Sequence, residues 1–207
     1  MREVLRLKSF SALLLAAFLP FTLWAAEGPN KPQPQPVTLE GKTTAILVLD
    51  LHTRCHNPKQ ICSKLMPGLG EFLERARASS VSIIYTVSSG EKGKPSGEIA
   101  TPLKRRDGEP VIYPHGFDKF QGGELEGLLK SKGIKSVVVV GSSAHIAVLH
   151  TAVTAARAFS YNVIIPMDGM NSRSNYEMEY TFHHLSVIPG GASKLVRFTN
   201  LSMISFQ

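Results

Sequence analysis

Hydrophobic positions along the chain follow two different periods. Residues 43–50, TTAILVLD, form a continuous apolar and β-branched run ending on Asp50, and 81–87, 134–141 and 162–166 are runs of the same kind. Unalternating runs of this length are strands buried on both faces. Between them the period changes. Residues 66–79 repeat apolar side chains at helical spacing (Leu69, Phe72, Leu73, Ala76), and 123–133 is an amphipathic helix stopped by Gly133. The stretch 145–160 is apolar nearly all round, which predicts an internal helix, and 175–188 is a further helix. Residues 111–113 are a short strand and 194–199 a last one. This alternation predicts a three-layer α/β/α domain with a mostly parallel sheet of about five or six strands. Such sheets bind ligands beyond the carboxyl ends of their strands, so Asp50, residues 87–89 and residues 141–143 should share one rim.

The N-terminus reads differently. Arg2, Arg6 and Lys8 precede an apolar run over 10–24 that ends at Ala25 and Ala26. That order is a secretory signal peptide over 1–25 and implies a periplasmic or secreted protein. The competing reading, an uncleaved anchor, is disfavoured by the shortness of the run and by Pro20 within it. Residues 27–36, EGPNKPQPQP, hold four prolines, so 26–37 is an extended tether and the folded domain occupies 38–207.

Charge narrows the partners. The presequence carries +2 of the formal +7, leaving about +5 on the remainder. Lys104, Arg105 and Arg106 are the one basic cluster, in a loop-like segment without interleaved aromatics. A nucleic-acid surface needs a concentrated basic stripe, so the expected partner is a small molecule, anionic ones included. No membrane contact is expected after signal cleavage, and assembly into a homo-oligomer is compatible with the sequence.

Cys55 and Cys62 stand close together, which in an exported protein is most simply a disulfide. A thiol or metal pair helped by His52 and His56 is the alternative, although the spacing exceeds that of zinc fingers. Neither G-x-G-x-x-G nor G-x-x-x-x-G-K occurs, and no cofactor or metal is expected. Ser142 and Ser143 invite a serine-hydrolase reading, but no G-x-S-x-G elbow surrounds them. His145, opening a buried helix, either satisfies local backbone or contacts a ligand. His183 and His184 sit in the late helix, where packing or solvent exposure is the default.

Several segments together resemble the isochorismatase-like hydrolase superfamily. AILVLDLH is similar to its first strand with an acidic end, Asp50. YTVSSG looks like the end of the second strand, and GFDKFQGGELEGLL like the aromatic-x-x-Phe segment entering a helix, here Phe117 and Phe120. IKSVVVVGSSAHIAVLHTAVTAARAFSYNVIIPMDGM is similar to the strand, nucleophile turn, helix and following strand. The resemblance implies an isochorismatase-like fold and a cis peptide between Ser142 and Ser143. It also implies a substrate pocket lined by Ser88, Phe117, Ser142, Ser143, His145 and Ala147.

Two branches of that superfamily differ at the turn. The amidase branch, nicotinamidases included, carries cysteine where this chain has Ala147; isochorismatases proper, which cleave a vinyl ether, have glycine in an Ala-His-Ile/Val-Gly pattern. AHIAVL is closer to the second. Amide hydrolysis needs a nucleophile, whereas vinyl ether hydrolysis needs a proton on the alkene carbon followed by water. Asp50 is the residue placed to supply it. Two departures stand out. The position six residues before Phe120, where the resemblance implies the catalytic lysine, holds Pro114, and only His115 and Lys119 are nearby substitute cations. Ser88 stands where isochorismatases have glutamine. Two function classes follow: an acid-catalysed exported hydrolase, or a binding domain that kept the crevice without the chemistry.

Overall fold

The computed structural model describes residues 31–207; the expected signal peptide and the start of the tether lie outside the described residues. In chain order the elements are β1 (Val37–Leu39), β2 (Thr44–Leu49), α1 (Met66–Ala78), β3 (Ser82–Thr86), β4 (Val111–Ile112), α2 (Glu124–Ser131), β5 (Ser136–Ser142), α3 (Leu149–Arg157), β6 (Asn162–Pro166), β7 (Met170–Asn171), α4 (Asn175–Ser186), β8 (Val196–Thr199) and β9 (Ile204–Phe206). The main sheet runs β4-β3-β2-β5-β6-β8, all parallel, with β7 paired beside the end of β5. This is the expected three-layer α/β/α architecture with a parallel sheet.

Alternation along the strands explains the layers. In β2, Ala45, Leu47 and Leu49 face a core completed by Leu125 and Leu129 of α2, Ala152 and Ala155 of α3, and Phe182 and Leu185 of α4. Ile46 and Val48 face the opposite core, with Leu69, Phe72, Leu73 and Ala76 of α1. Every residue of β2 is buried, as a continuous apolar run requires. The elements that the hydrophobic pattern misses are short: β1 pairs with β9 in a separate two-stranded sheet, and three residues in each strand are too few to show a period.

The helices end where local chemistry dictates. Pro67 opens α1, where its missing N–H costs nothing. Ser174 and Glu177 form a reciprocal capping box on α4, a pairing readable as S-x-x-E in the sequence. One helix departs from expectation: the stretch expected to be helical from 145 begins as a wider π-helical turn over Ala144–Val148 and becomes α-helical only at Leu149. Such turns concentrate at functional sites, and this one follows the carboxyl end of the central strand β5.

Arg77 ties α1 to the loop before β4. Its buried guanidinium donates to both carboxylate oxygens of Glu109 at 2.7 and 2.9 Å, to Glu74 at 2.9 Å and to the Tyr85 hydroxyl at 3.1 Å. Burial pushes the Glu109 carboxyl up, but hydrogen bonds from Arg77 and the Arg106 amide outweigh it and hold the group below its ordinary value. A carboxylate depressed in the folded state adds stability above its unfolded value, and that stability is lost as pH falls through the folded value. Glu109→Gln is therefore expected to lower stability at neutral pH by about 1–3 kcal/mol and to flatten the acid limb of a stability-against-pH curve. Equal stability of the two proteins at pH 7 in denaturant titrations would show the cluster to be energetically idle.

Cys55 and Cys62 are joined as a disulfide, which removes the thiol–metal alternative for this pair. His56 accepts from the Thr101 amide at 3.1 Å instead of facing a metal partner. A loop this short should gain about 2–3 kcal/mol from the cross-link on the chain-entropy model. Thiol titration under denaturing, non-reducing conditions is expected to return no thiol, and two after reduction.

Candidate active site

The carboxyl ends of β2, β3 and β5 converge on a cavity of about 550 Å³ lined by Asp50, His52, Arg54, Ser88, Lys119 and Ala147 among others. That volume suits a small molecule. Asp50 closes β2, its amide donating to the Thr86 carbonyl at 2.9 Å, and its backbone takes the left-handed conformation at φ +55°. A non-glycine residue there is uncommon. Next to it, Gly141 of β5 lies against Leu49: a Cβ at 141 would meet the Leu49 carbonyl oxygen at 2.2 Å. Only glycine lets the two strand ends run this close, and the peptide that follows, Ser142–Ser143, is cis, as the resemblance implied.

Of the two substitute cations, Lys119 is the one that meets Asp50. Lys119 Nζ lies 2.7 Å from Asp50 Oδ2 and 3.0 Å from Oδ1, with the lysine side chain only 2% exposed. The cation beside Asp50 therefore comes from Lys119 and not from position 114. The lysine arrives from a different sequence offset because its neighbours fix which way it points. Asp118 accepts from the Phe120 amide at 3.0 Å and from Thr154 of α3 at 2.6 Å. The Lys119 amide donates to Thr151 of α3 at 3.1 Å. Phe120 is buried beside Phe159 and Tyr161. Residues on either side are thus anchored to the helix layer, and Lys119 is turned into the crevice. His115, the other substitute cation, also lines the cavity, but its Nδ1 meets Ser89 Oγ at 3.1 Å, not Asp50.

The remaining expected residues share this cavity: Ser88, Phe117, Ser142, Ser143, His145 and Ala147 all line it. Phe117 is 64% exposed at the mouth, and Ala147 is buried. His145 Nδ1 lies 2.9 Å from Ser172 Oγ, 3.2 Å from Ser143 Oγ and 3.6 Å from Glu177. All three partners meet the same ring nitrogen. A relay needs its orienting acid on the other one, so the geometry argues against a serine-hydrolase triad.

Several lining residues escaped the sequence reading: Arg54, Gln60, Ile61, Glu91, Arg173 and Glu177. Residues 60–62 reach the cavity through the disulfide loop, where the Asn171 amide of β7 donates to the Ile61 carbonyl at 2.6 Å. Asn171 is paired in register with Ser142, so one side chain braces the loop to the strand end. Glu177 could have been found from the capping box. Arg54 and Arg173 carry no sequence signal, because an exposed arginine in a loop looks the same whether or not it borders a cavity.

Comparison with known proteins agrees with this geometry. The family model described as "Isochorismatase domain" matches residues 44–192. The secreted isochorismatase effector Isc1 of Verticillium dahliae is 26% identical over 148 residues, which cover 67% of this chain and 77% of that protein. Among solved structures, an isochorismatase family protein from Burkholderia thailandensis superposes with a TM-score of 0.68 at 21% identity, covering 82% of this chain and 97% of the other. N-carbamoylsarcosine amidase from Thermoplasma acidophilum gives 0.63 at 20% identity over 77% and 96%. The fold is thus shared with an amidase, and chemistry must be argued from the cavity.

Ala147→Cys would place a thiol in the cavity that Lys119 and Asp50 also line. Ala147→Cys should therefore yield a thiol with a lowered pKa, alkylated by iodoacetamide at pH 7 about tenfold faster than free cysteine. Alkylation at the ordinary rate would mean that the Asp50–Lys119 pair does not act on that turn.

Proposed function

The chain belongs to the isochorismatase family, and we propose that it is an exported hydrolase of small anionic molecules that works by acid catalysis through Asp50. The observation that carries this reading is the Lys119–Asp50 contact inside the cavity. Burying an ammonium costs several kcal/mol unless it is paired, and a pair facing an open crevice is poor packing for a domain that only binds. The alternative, a non-catalytic binding domain, rested on the lysine being absent.

An ion pair and its neutral acid–amine form contain the same proton, so Asp50 and Lys119 together store one that can be transferred. Lys119 Nζ, 2.7 Å from Asp50 Oδ2, is placed to pass a proton to that carboxylate once substrate has displaced water from the cavity. Asp50 then protonates the terminal carbon of a vinyl ether, and the cation formed is stabilised by its ether oxygen. No covalent enzyme intermediate is needed, which suits an alanine at 147. Arg54 and Arg173 offer an anionic substrate planar donors, with Glu91 and Glu177 the opposing charges in the same lining. Export is supported by the basic–apolar–small pattern of residues 1–25 and by the word "secreted" in the name of the Verticillium dahliae relative.

Purified protein is expected to hydrolyse isochorismate or a related vinyl ether while leaving simple amides intact, and thiol-directed reagents should not slow it. Asp50→Asn should lower kcat by about 10²–10⁴-fold, with the fold checked by circular dichroism. Wild-type protein inert to the vinyl ethers, or an undiminished Asp50→Asn variant, would sink the acid mechanism.

A further inference from the structure

His52 stands two residues beyond Asp50 in the same cavity, and the acid mechanism leaves it without a task. Its ring is held from one side only. Nδ1 lies 2.5 Å from the Ser96 carbonyl oxygen, and a carbonyl can only accept, so the ring hydrogen sits on Nδ1. Nε2 then carries a lone pair, and the ring's one hydrogen bond among the described residues is the Nδ1 contact, in a side chain that lines the cavity.

The backbone around the ring is fixed on both flanks. Thr53 donates to Glu98 and Ala100 donates to Leu51, at 2.8 and 3.2 Å, and His52 bridges Ile99 in antiparallel fashion. The Thr53 hydroxyl donates to the same Ser96 carbonyl at 3.0 Å, and Ser96 in turn donates to Glu91. This clamp sets the orientation and tautomer of a side chain only 7% exposed. The arrangement fixes the ring by Nδ1 and leaves the side with the lone pair to the cavity that His52 lines.

We propose that His52 is the catalytic base of the reaction: its Nε2 accepts a proton from the water that adds to the substrate cation. This rests on the acid-catalysed reading of the site. The protons balance without a further reactant. Asp50 gives its proton to the alkene carbon, and the water oxygen forms a bond to the cationic carbon as His52 Nε2 takes one of its hydrogens. The adduct then collapses: its hydroxyl proton returns to Asp50, the carbonyl forms, the ether C–O bond breaks, and His52 hands its proton to the departing oxygen. One water is consumed, and both residues regain their starting forms.

The electrostatics agree. Burial pushes the imidazole below its ordinary value against the opposing pull of the Ser96 carbonyl; Arg54 lowers it further, while Asp50 and Glu91 raise it. The ring is therefore neutral at pH 7, the form a base requires. A group lowered in this way binds its proton only below the ordinary histidine value of 6.5, so the protonated, inactive form is confined to acid.

The test uses the full protein with isochorismate as probe. His52→Gln keeps a hydrogen-bonding side chain of similar reach but accepts no proton. It is expected to lower kcat by about 10²–10⁴-fold with KM nearly unchanged, and to abolish the fall in kcat/KM that the wild type shows on the acid side. Nitrogen-15 spectra of the wild type should show His52 Nδ1 protonated and Nε2 bare at pH 7, which stands even if the variant fails to fold. A kcat retained by His52→Gln, or a proton on Nε2 in the spectra, overturns the assignment and leaves Asp50 untouched. No turnover by the wild type overturns the acid mechanism and this base with it.

Discussion

The contact between Lys119 and Asp50 is the constraint from which the rest of the cavity takes its form. An ammonium almost wholly removed from water is tolerable only with its counter-charge in place, so the end of β2 and the loop before α2 must hold a fixed separation. Asp118, Thr151 and Thr154 supply that separation by fastening the loop to α3 on either side of the lysine. α3 can do so because its apolar face is packed under the sheet. The chain of dependence thus runs from a buried ion pair, through side-chain hydrogen bonds, to the central core.

The other walls are built by different means. Gly141 allows β5 to approach β2, which brings the Ser142–Ser143 turn and the wide helical turn after it to the cavity's edge. The Cys55–Cys62 loop forms another side and is braced by Asn171. The stretch around Ser96 and Glu98 is pinned to residues 51–53 and carries the clamp on His52. Four separated segments therefore meet at the carboxyl end of one parallel sheet, where the strand twist leaves space that loops alone can fill.

Chemistry in such a cavity turns on a few atoms. The fold is shared with an amidase, so the sheet does not select the reaction. Ala147 contributes only a buried methyl to the cavity. His52, fixed by the Ser96 carbonyl, and Asp50, paired with Lys119, line the same cavity but are held by different surroundings.

The local pattern determined a great deal by itself. Continuous β-branched runs could only be strands covered on both faces, and apolar repeats at helical spacing could only be the covers, so the three-layer architecture and the rim carrying Asp50, Ser88 and residues 141–143 were legible. So was the cysteine pair. The identity of Asp50's partner was not. A lysine adjoining Phe120 looked out of register, because counting along a chain assumes a loop of fixed shape, while the direction of Lys119 is decided by bonds with a later helix, from its own amide to Thr151 and from Thr154 to its neighbour Asp118. His52 was equally illegible: its tautomer depends on a carbonyl 44 residues away. Periodicity is a property of neighbours in sequence, and it reports burial; which atoms face each other across a cavity depends on contacts between distant segments, and only the tertiary structure decides those.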